Sequence, residues 1–256
     1  MYQEFARVYD EFMQEISYAE WADYIEGLWK RHGEKPALVL DLACGTGGLA
    51  LELSRRGYDM IGSDLSYSML NEAMSKAKRE QASILFLQQD MREFELYGTV
   101  DSILCTCDSL NYLMEEGDIR RVFELVNLYL NPGGTFIFDL NTDYKYGSVL
   151  GDSVFADTFE RSAFIWQNYY DPGERINEYQ VTFFEQMEEM PYYRRYEETH
   201  YQKAYPPETI SRLLKAAGLR LEAIYEGFTM ESVREQSERV CYVAREISKN
   251  GEKEHE

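Results

Sequence analysis

Between residues 34 and 143, short apolar runs alternate with segments whose apolar residues recur at helical spacing. Nearly unbroken apolar runs are typical of strands that are buried on both faces of a sheet. We expect these strands at residues 37–42, 59–64, 84–89, 100–106 and 135–140. Regular alternation of strands and helices predicts an α/β fold with a doubly wound parallel sheet and right-handed crossovers. Such sheets bind ligands at the carboxyl ends of their strands.

The pattern differs on either side of this region. Residues 1–33 carry aromatic side chains at helical spacing, which predicts amphipathic helices that dock on the sheet. Helix and strand patterns return at residue 205, and residues 248–256 form a charged tail. We therefore expect one core made of residues 1–143 and 205–247, with the N-terminal helices as its cover.

Residues 144–204 form an insertion in which Tyr and Phe alternate with charged residues. This period of two predicts three antiparallel strands. We expect them at 161–170, 174–187 and 193–205. A small sheet made of these strands would cover the carboxyl edge of the main sheet as a lid and select the substrate.

His200 lies in the last of these predicted strands. It shares a strand face with Tyr196, Glu198 and Gln202. We expect His200 at the surface or behind the substrate pocket. The alternative is that it points into the pocket as a base.

Composition narrows the classes of partner. The 256 residues include 46 acidic and 26 basic side chains, a formal net charge of -20. This charge repels phosphate backbones and anionic lipids, which disfavours nucleic-acid and membrane partners. No apolar run reaches the roughly 20 residues of a membrane span, and the first residues lack the apolar core of a signal peptide. We expect a cytoplasmic protein, as a monomer or homodimer.

The cysteines and histidines predict no metal site. Cys44, Cys105, Cys107 and Cys241 lie mostly in apolar, strand-like runs without CxxC spacing, and the chain has three histidines. Buried, reduced thiols are the simplest interpretation of this pattern.

A glycine-rich stretch follows the first predicted strand. Gly45, Gly47 and Gly48 precede a helix, where glycines let the backbone approach a ligand and leave N–H groups available. Residues 45–50 also satisfy GxGxx(G/A), and Asp64 follows Gly45 by 19 residues, as in an NAD-binding motif. An NAD-dependent oxidoreductase is therefore one interpretation.

Asp41 favours a different ligand. A pyrophosphate at this helix N-terminus would be repelled by a nearby carboxylate, whereas the ammonium and sulfonium of S-adenosylmethionine would not. The ribose hydroxyls suit Asp64 at the end of the second strand, because a carboxylate accepts two hydrogen bonds. Asp90 and Met91 follow the third strand and could hold the adenine, with Leu65 on its other face.

Several stretches resemble the class I S-adenosylmethionine-dependent methyltransferases, in particular bacterial enzymes that act on small molecules. They are DLACGTG (41–47), GSDLSYSML (62–70), LQQDMREF (87–94), VDSILCTCDSLNYL (100–113), NPGGTFIFDLN (131–141), LLKAAGLRLEAIYEGF (213–228) and RVCYVAREI (239–247). The resemblance implies a Rossmann-like, seven-stranded, mostly parallel sheet that ends in an antiparallel hairpin.

The resemblance also implies roles for individual residues. Four residues of the loop after the first strand would hold the methionine part of S-adenosylmethionine: Asp41, Ala43, Gly45 and Gly47. Asp64 would bind the ribose. The adenine would contact Leu65, Met69, Asp90 and Met91. Cys107 and Asp108 would lie under the sulfonium. The N-terminal segment looks like the cover of small-molecule N-methyltransferases, which makes Tyr9 and Tyr18 candidate contacts to the methionine part of S-adenosylmethionine or to the substrate.

The implied reaction is transfer of a methyl group by in-line displacement to a nitrogen or oxygen atom of a small molecule. Alignment and exclusion of water are the main requirements, and a base is needed only if the acceptor must lose a proton. The candidate catalytic residues are Tyr9 and His200. Asn111, Tyr112 and Asn141 could help to orient an acceptor. A cofactor-binding protein without catalysis is the remaining alternative.

Overall fold

A computed structural model describes residues 17–187, 192–247 and 249. Tyr9, residues 1–16 of the predicted N-terminal cover and most of the predicted tail lie outside the described residues. The α-helices are Tyr18–Arg31 (α1), Gly48–Arg55 (α2), Tyr67–Glu80 (α3), Glu116–Tyr129 (α4) and Pro207–Ala216 (α5). A 3₁₀ helix spans Ser109–Tyr112, and a π-helix spans Lys145–Leu150.

The larger sheet of the described chain has seven strands. They are Leu38–Leu42 (β1), Asp59–Asp64 (β2), Leu85–Gln88 (β3), Val100–Cys105 (β4), Leu130–Asn141 (β5), Leu219–Glu226 (β10) and Arg239–Glu246 (β11). Their order is β10-β11-β5-β4-β1-β2-β3, and only β11 runs antiparallel to its neighbours. The predicted mostly parallel sheet with a C-terminal antiparallel hairpin is confirmed.

The central strands are apolar on both sides because helices cover both faces of this sheet. Leu40 and Leu42 of β1 face the cluster that contains Phe123 of α4, whereas Val39 faces the cluster that contains Leu28 of α1. Trp29 of α1 is buried and donates its indole N–H to Ser102 Oγ of β4 over 3.0 Å. Complete burial of a leucine side chain stabilises the fold by about 2 kcal/mol, so these layers fix the strand ends that carry the site.

β2 has its predicted bounds, β1 and β4 are each one residue shorter than predicted, and β3 and β5 differ at both ends. β5 starts at Leu130, so the predicted Asn131–Gly134 turn lies within the strand. The register with β4 jumps there, from Val100 opposite Leu130 to Ser102 opposite Thr135. The extra residues form a bulge, in which Gly133 has a φ of 79°. β3 is shorter than predicted because Ile84 and Gln89 lie outside its ladder.

The second sheet lies inside the predicted insertion, and the prediction of three strands was wrong. Among the described residues this inserted sheet has four antiparallel strands in the order β6-β7-β8-β9. They are Val154–Thr158 (β6), Ser162–Asp171 (β7), Ile176–Gln186 (β8) and Tyr193–Lys203 (β9). The additional strand, β6, is a short edge strand with largely exposed residues, so it lacks the alternation of apolar and polar residues that identified the others.

Side-chain hydrogen bonds attach the inserted sheet to the main sheet. Asn111 lies in the 3₁₀ helix after β4 and is fully buried. Its Nδ2 donates to the carbonyl of Lys203, over 2.8 Å, and to that of Asn141, over 3.3 Å. Its Oδ1 accepts the Asn141 N–H. Strand β9 is thereby held next to the carboxyl ends of β4 and β5.

Candidate functional site

The loop between β1 and α2 contains three residues with left-handed backbone. Ala43, Gly45 and Gly47 have φ values of 61°, 54° and 73°. A Cβ on Gly47 would lie 2.9 Å from the Cβ of Ala73 and 3.3 Å from the Phe86 ring, so this position requires glycine on two grounds. A Cβ on Gly45 would meet nothing within 4 Å. The loop is therefore packed from behind at Gly47 and open at Gly45.

Asp41, at the end of β1, is a buried carboxylate with an unsatisfied oxygen. It is 2% exposed, and the N–H of Ala50, in the first turn of α2, donates to it. Its Oδ2 has no hydrogen-bond partner among the described residues. Burial, followed by the negative charge of Asp64, raises the pKa of Asp41 to about 7. A cationic group beside Asp41 would reverse this shift, because it would favour the ionised form.

Asp64 connects the ends of β1 and β2. Its Oδ2 accepts the Gly45 N–H over 2.9 Å, and its Oδ1 accepts the Ser66 N–H over 2.7 Å. Burial raises the pKa of Asp64, and the two N–H groups oppose that shift. Each carboxylate oxygen can accept a second hydrogen bond, so Asp64 can still bind a pair of hydroxyls.

The four residues predicted at the adenine have different surroundings. Leu65 is 62% exposed, whereas Met69 is 2% exposed and lies in the core. Met91 is half-buried against the core. Both oxygens of Asp90 accept hydrogen bonds from the Arg92 guanidinium, which lowers the pKa of Asp90. A ligand amine at Asp90 would therefore have to share this carboxylate with Arg92.

Tyr18, in the first turn of α1, packs across the start of α2. A Cβ on Gly48 would lie 2.2 Å from the Tyr18 ring, so glycine is needed for this approach. The contact brings Tyr18 to the N-terminal end of α2, directly after the glycine loop. This location agrees with the predicted neighbourhood of Tyr18, while its contact with a cofactor stays a prediction.

The loop after β4 contains an ion cluster that the sequence reasoning missed. Cys107 and Asp108 both have left-handed backbone, with φ values of 57° and 52°. Strain of this kind concentrates at functional sites. The Arg239 guanidinium, at the start of β11, donates to Asp108 over 2.6 Å and also to Asp139 at the end of β5. The backbone N–H of Asp108 donates to Asp139 as well.

The Arg239 cluster extends to the inserted sheet. Gln202 of β9 donates its Nε2–H to Asp108 over 2.7 Å and accepts the Tyr146 hydroxyl hydrogen. Asp139 is 1% exposed, and its Oδ1 has no partner among the described residues. Burial raises the pKa of Asp139, although the charge of Arg239 opposes that shift. An aspartate after the apolar run of β5, like Asp41 after β1, was the only available signal for this cluster.

His200 lies on the inner face of the inserted sheet and is 2% exposed, which excludes the surface position and agrees with a position behind or in the substrate pocket. Its Nδ1 lies 3.4 Å from the Tyr112 hydroxyl, and its Nε2 lies 3.4 Å from Glu198 Oε2. The hydroxyls of Tyr112 and Tyr179 are 2.7 Å apart. Of the residues expected to orient an acceptor, Tyr112 and His200 therefore meet. Asn111 instead joins the two sheets, and Asn141 Oδ1 accepts a hydrogen bond from Lys145.

Comparison with known proteins identifies the class. A family model described as a methyltransferase domain matches residues 39–134. YqeM from Bacillus subtilis (strain 168), a methyltransferase by name, is 38% identical over 245 residues, which cover 95% of this chain and 96% of YqeM. The crystal structure of an S-adenosylmethionine-dependent methyltransferase from Clostridium acetobutylicum is 29% identical, with a TM-score of 0.87 over 96% of this chain and 99% of that chain. The chain belongs to the class I S-adenosylmethionine-dependent methyltransferases.

More distant relatives include enzymes whose names state an acceptor. A dTDP-3-amino-3,6-dideoxy-alpha-D-glucopyranose N,N-dimethyltransferase from Streptomyces fradiae is 28% identical over 139 residues, which cover 53% of this chain and 52% of that enzyme. In the described ranges, no helix combines the length and the apolar character that a membrane crossing requires. The same residues contain no group of three His, Cys, Asp or Glu side chains arranged to hold a metal ion.

Proposed function

We propose that this enzyme methylates a nitrogen or oxygen atom of a small molecule that binds between the inserted sheet and the carboxyl edge of the main sheet. The observation that carries the proposal is the attachment of β9 at that edge, through Gln202 to Asp108 and through Lys203 to Asn111. An acceptor must enter beneath an inserted sheet that is held against the ends of β4 and β5. This restricts its size and excludes water from the reaction.

The residues of the loop fit S-adenosylmethionine as the methyl donor. Asp41 and Asp139 each have one buried carboxylate oxygen without a partner in the described chain. The register places both side chains on the same face of the main sheet, since Asp41 lies opposite Leu104 and Leu104 lies opposite Ile137, two residues before Asp139. Two such oxygens on one face favour a cationic ligand and disfavour a pyrophosphate.

The remaining residue assignments follow from position. Asp41, Ala43, Gly45 and Gly47 would surround the methionine part, and Asp64 would bind the ribose hydroxyls. Leu65, Met69, Asp90 and Met91 would form the adenine side. Cys107 and Asp108 would lie under the sulfonium, and Tyr18 would contact the methionine end or the substrate. When bound, S-adenosylmethionine supplies a methyl group on a strong leaving group, so the protein mainly has to align the acceptor and balance charge.

The relatives support a small acceptor that contains an amine. The Streptomyces fradiae enzyme is named for an amino sugar, and a 28% identical relative from Halorhodospira halochloris is named a glycine/sarcosine N-methyltransferase. The net charge of -20 also favours neutral or cationic acceptors over nucleic acid. The four cysteines are free, which agrees with action in the cytoplasm.

Two measurements test the proposal. Calorimetric titration with S-adenosylmethionine, S-adenosylhomocysteine and NAD should show binding of the first two and none of NAD. Release of S-adenosylhomocysteine should then be followed with a panel of amino sugars, amino acids and hydroxylated analogues. Turnover of one of these compounds is the expected result. Binding of NAD alone would indicate an oxidoreductase, and cofactor binding without turnover of any small molecule would contradict the proposed acceptor class.

A further inference from the structure

We propose that Glu198, His200 and Tyr112 form a proton relay that removes the proton which the acceptor must lose on methylation. This inference rests on the proposed function, because it concerns the acceptor side of the same site. It assigns a chemical role to the inserted sheet in addition to covering the site. The relay joins the two sheets, since Glu198 and His200 lie on β9 and Tyr112 ends the 3₁₀ helix after β4.

The contacts form one continuous series, with hydrogen bonds from Tyr179 through Tyr112 to His200 and an ion-pair contact from His200 to Glu198. The Tyr179 and Tyr112 hydroxyls are 2.7 Å apart, and Tyr112 is 3.4 Å from His200 Nδ1. His200 Nε2 is 3.4 Å from Glu198 Oε2. The two distances at the imidazole are at the long end of hydrogen bonding, as is common before substrate binds.

The direction of the chain follows from the chemistry of its ends. An ionised glutamate only accepts hydrogen bonds, so His200 must carry its proton on Nε2 to donate to Glu198. Nδ1 is then the acceptor and receives the Tyr112 O–H. Tyr112 in turn accepts the Tyr179 O–H. A carboxylate that fixes one imidazole tautomer, with the other nitrogen free to accept a proton, is the arrangement of a general base.

The surroundings hold the imidazole in place. The Tyr179 ring stacks on His200 with centroids 5.2 Å apart, and the Tyr112 ring meets it edge-on at 5.9 Å. Trp166 of β7 packs on Tyr179 from the other side. The titratable groups facing His200 include Glu198 from its own strand, Tyr179 from β8 and Tyr112 from the 3₁₀ helix.

Tyr112, at one end of the relay, lies close in sequence to the residues proposed to hold the methyl donor and at the same edge of the main sheet. Tyr112 follows Asp108 by one turn of 3₁₀ helix, and Asp108 belongs to the Arg239 cluster at the ends of β4 and β5. Gln202, two residues after His200 and on the same face of β9, donates to Asp108. The same strand therefore fixes the position of His200 and binds the loop that follows β4.

The proposed step balances in bonds, electrons and protons. The lone pair of the acceptor nitrogen or oxygen forms the new bond to the methyl carbon, and the carbon–sulfur bond breaks with its electron pair left on sulfur. The acceptor atom gives its proton to the Tyr112 oxygen as the Tyr112 hydroxyl proton moves to His200 Nδ1, so Tyr112 ends the step neutral. The resulting imidazolium is stabilised by Glu198 and later releases its proton to solvent.

Imidazole NMR tests the relay without an acceptor. The chain has three histidines, so His200→Asn assigns the His200 signals by difference. The wild type should show the Nε2–H tautomer for His200. Glu198→Ala should convert it to a mixture of tautomers, while Glu197→Ala, on the exposed face of the same strand, should leave it unchanged. An Nδ1–H tautomer in the wild type, or no response to Glu198→Ala, would overturn the relay.

Kinetics test its chemical role. With an acceptor from the panel, His200→Asn should lower kcat at pH 7 by about 10²-fold or more, with the affinity for S-adenosylmethionine changed less than twofold. The difference in kcat between His200→Asn and the wild type should become smaller as pH rises, because the acceptor then loses its proton without help. Tyr112→Phe should show the same pattern if His200→Asn does not fold. A pH profile equal to that of the wild type in both variants would refute the role, whereas failure of the wild type on every acceptor would refute the proposed function.

Discussion

Gln202 of the inserted sheet and Asp108, in the loop after β4, are joined by a partly buried hydrogen bond of 2.7 Å. The same amide accepts the Tyr146 hydroxyl hydrogen, so both ends of the Gln202 side chain are satisfied. Hydrogen bonds to charged groups contribute about 1.5–3 kcal/mol. We expect Gln202→Ala to destabilise the protein by about 2–3 kcal/mol and to accelerate amide exchange in β9.

The control for this prediction is Gln180→Ala, on the exposed side of β8, where the amide bonds only to Glu178. It should change stability by less than about 0.5 kcal/mol. Hydrogen exchange followed by mass spectrometry reports on β9 directly. Equal exchange in both variants would mean that Gln202 does not hold the inserted sheet in place.

Asp64→Asn should weaken binding of S-adenosylmethionine by about 10–100-fold, equivalent to 1.5–3 kcal/mol. Asparagine keeps the size of the side chain but has one acceptor oxygen, so either Gly45 or Ser66 loses its partner. Asp59→Asn, at the exposed start of the same strand, is the matched control. Calorimetric titration of the two folded variants with S-adenosylmethionine tests this. If Asp64→Asn and Asp59→Asn bind it with equal affinity, Asp64 does not belong to the cofactor site.

Asp41→Asn should stabilise the protein in the absence of cofactor at pH 8 and much less at pH 5. The pKa of Asp41 is raised from 3.8 to about 7, so the folded state binds a proton that the unfolded state releases between these values. Stability therefore falls as pH rises from about 4 to 7, by up to about 4 kcal/mol. Asparagine avoids this loss and still accepts the Ala50 N–H.

Urea unfolding at both pH values measures the effect, and a gain in stability that is equal at pH 5 and pH 8 would contradict it.

Asp41 also links cofactor binding to pH. If the ionised Asp41 faces a cationic ligand, affinity for S-adenosylmethionine should fall as pH decreases below about 7 in the wild type. Asp41→Asn should bind more weakly and lose this dependence.

Gly47→Ala should destabilise the protein more than Gly33→Ala, although both glycines have a φ of 73°. The shared backbone strain of an alanine in this conformation is about 1–2 kcal/mol. A Cβ on Gly33 meets open space, whereas one on Gly47 would lie 2.9 Å from Ala73. Overpacking should add about 1–3 kcal/mol. Chemical denaturation of Gly47→Ala and Gly33→Ala measures the difference, which is the packing contribution. Equal denaturation midpoints would mean that overpacking at Gly47 contributes nothing.

The sequence predicted the parts of the fold that depend on local pattern. Asp41 and Asp64 could be located because each lies at or beside the last residue of an apolar strand, and the carboxyl ends of parallel strands meet at one edge of the sheet. Their roles at the cofactor stay predictions. The Arg239 cluster could not, because Arg239 and Gln202 are 131 and 94 residues from Asp108 along the chain. Nothing near either residue indicates its partner.

The inserted sheet shows the same limit. Alternation identified β7, β8 and β9, whereas the exposed edge strand β6 has no such pattern. The strand face of His200 was predicted correctly, but the pattern could not decide between a surface and a buried position. One of its contacts is Tyr112, which is 88 residues away and lies in the 3₁₀ helix after β4. Packing between sheets is a tertiary property that strand periodicity does not encode.

Asn111 has a consequence for how this enzyme can change during evolution. Its side chain binds the backbone of Asn141, where the chain leaves the main sheet, and of Lys203, where it returns. Asn141 and Lys203 are therefore held close together, so the stretch between them is a loop whose two ends already meet. Its length and side chains can be exchanged while the glycine loop stays intact. If this stretch selects the acceptor, as proposed, new acceptors can arise by its replacement while the loop between β1 and α2 is unchanged.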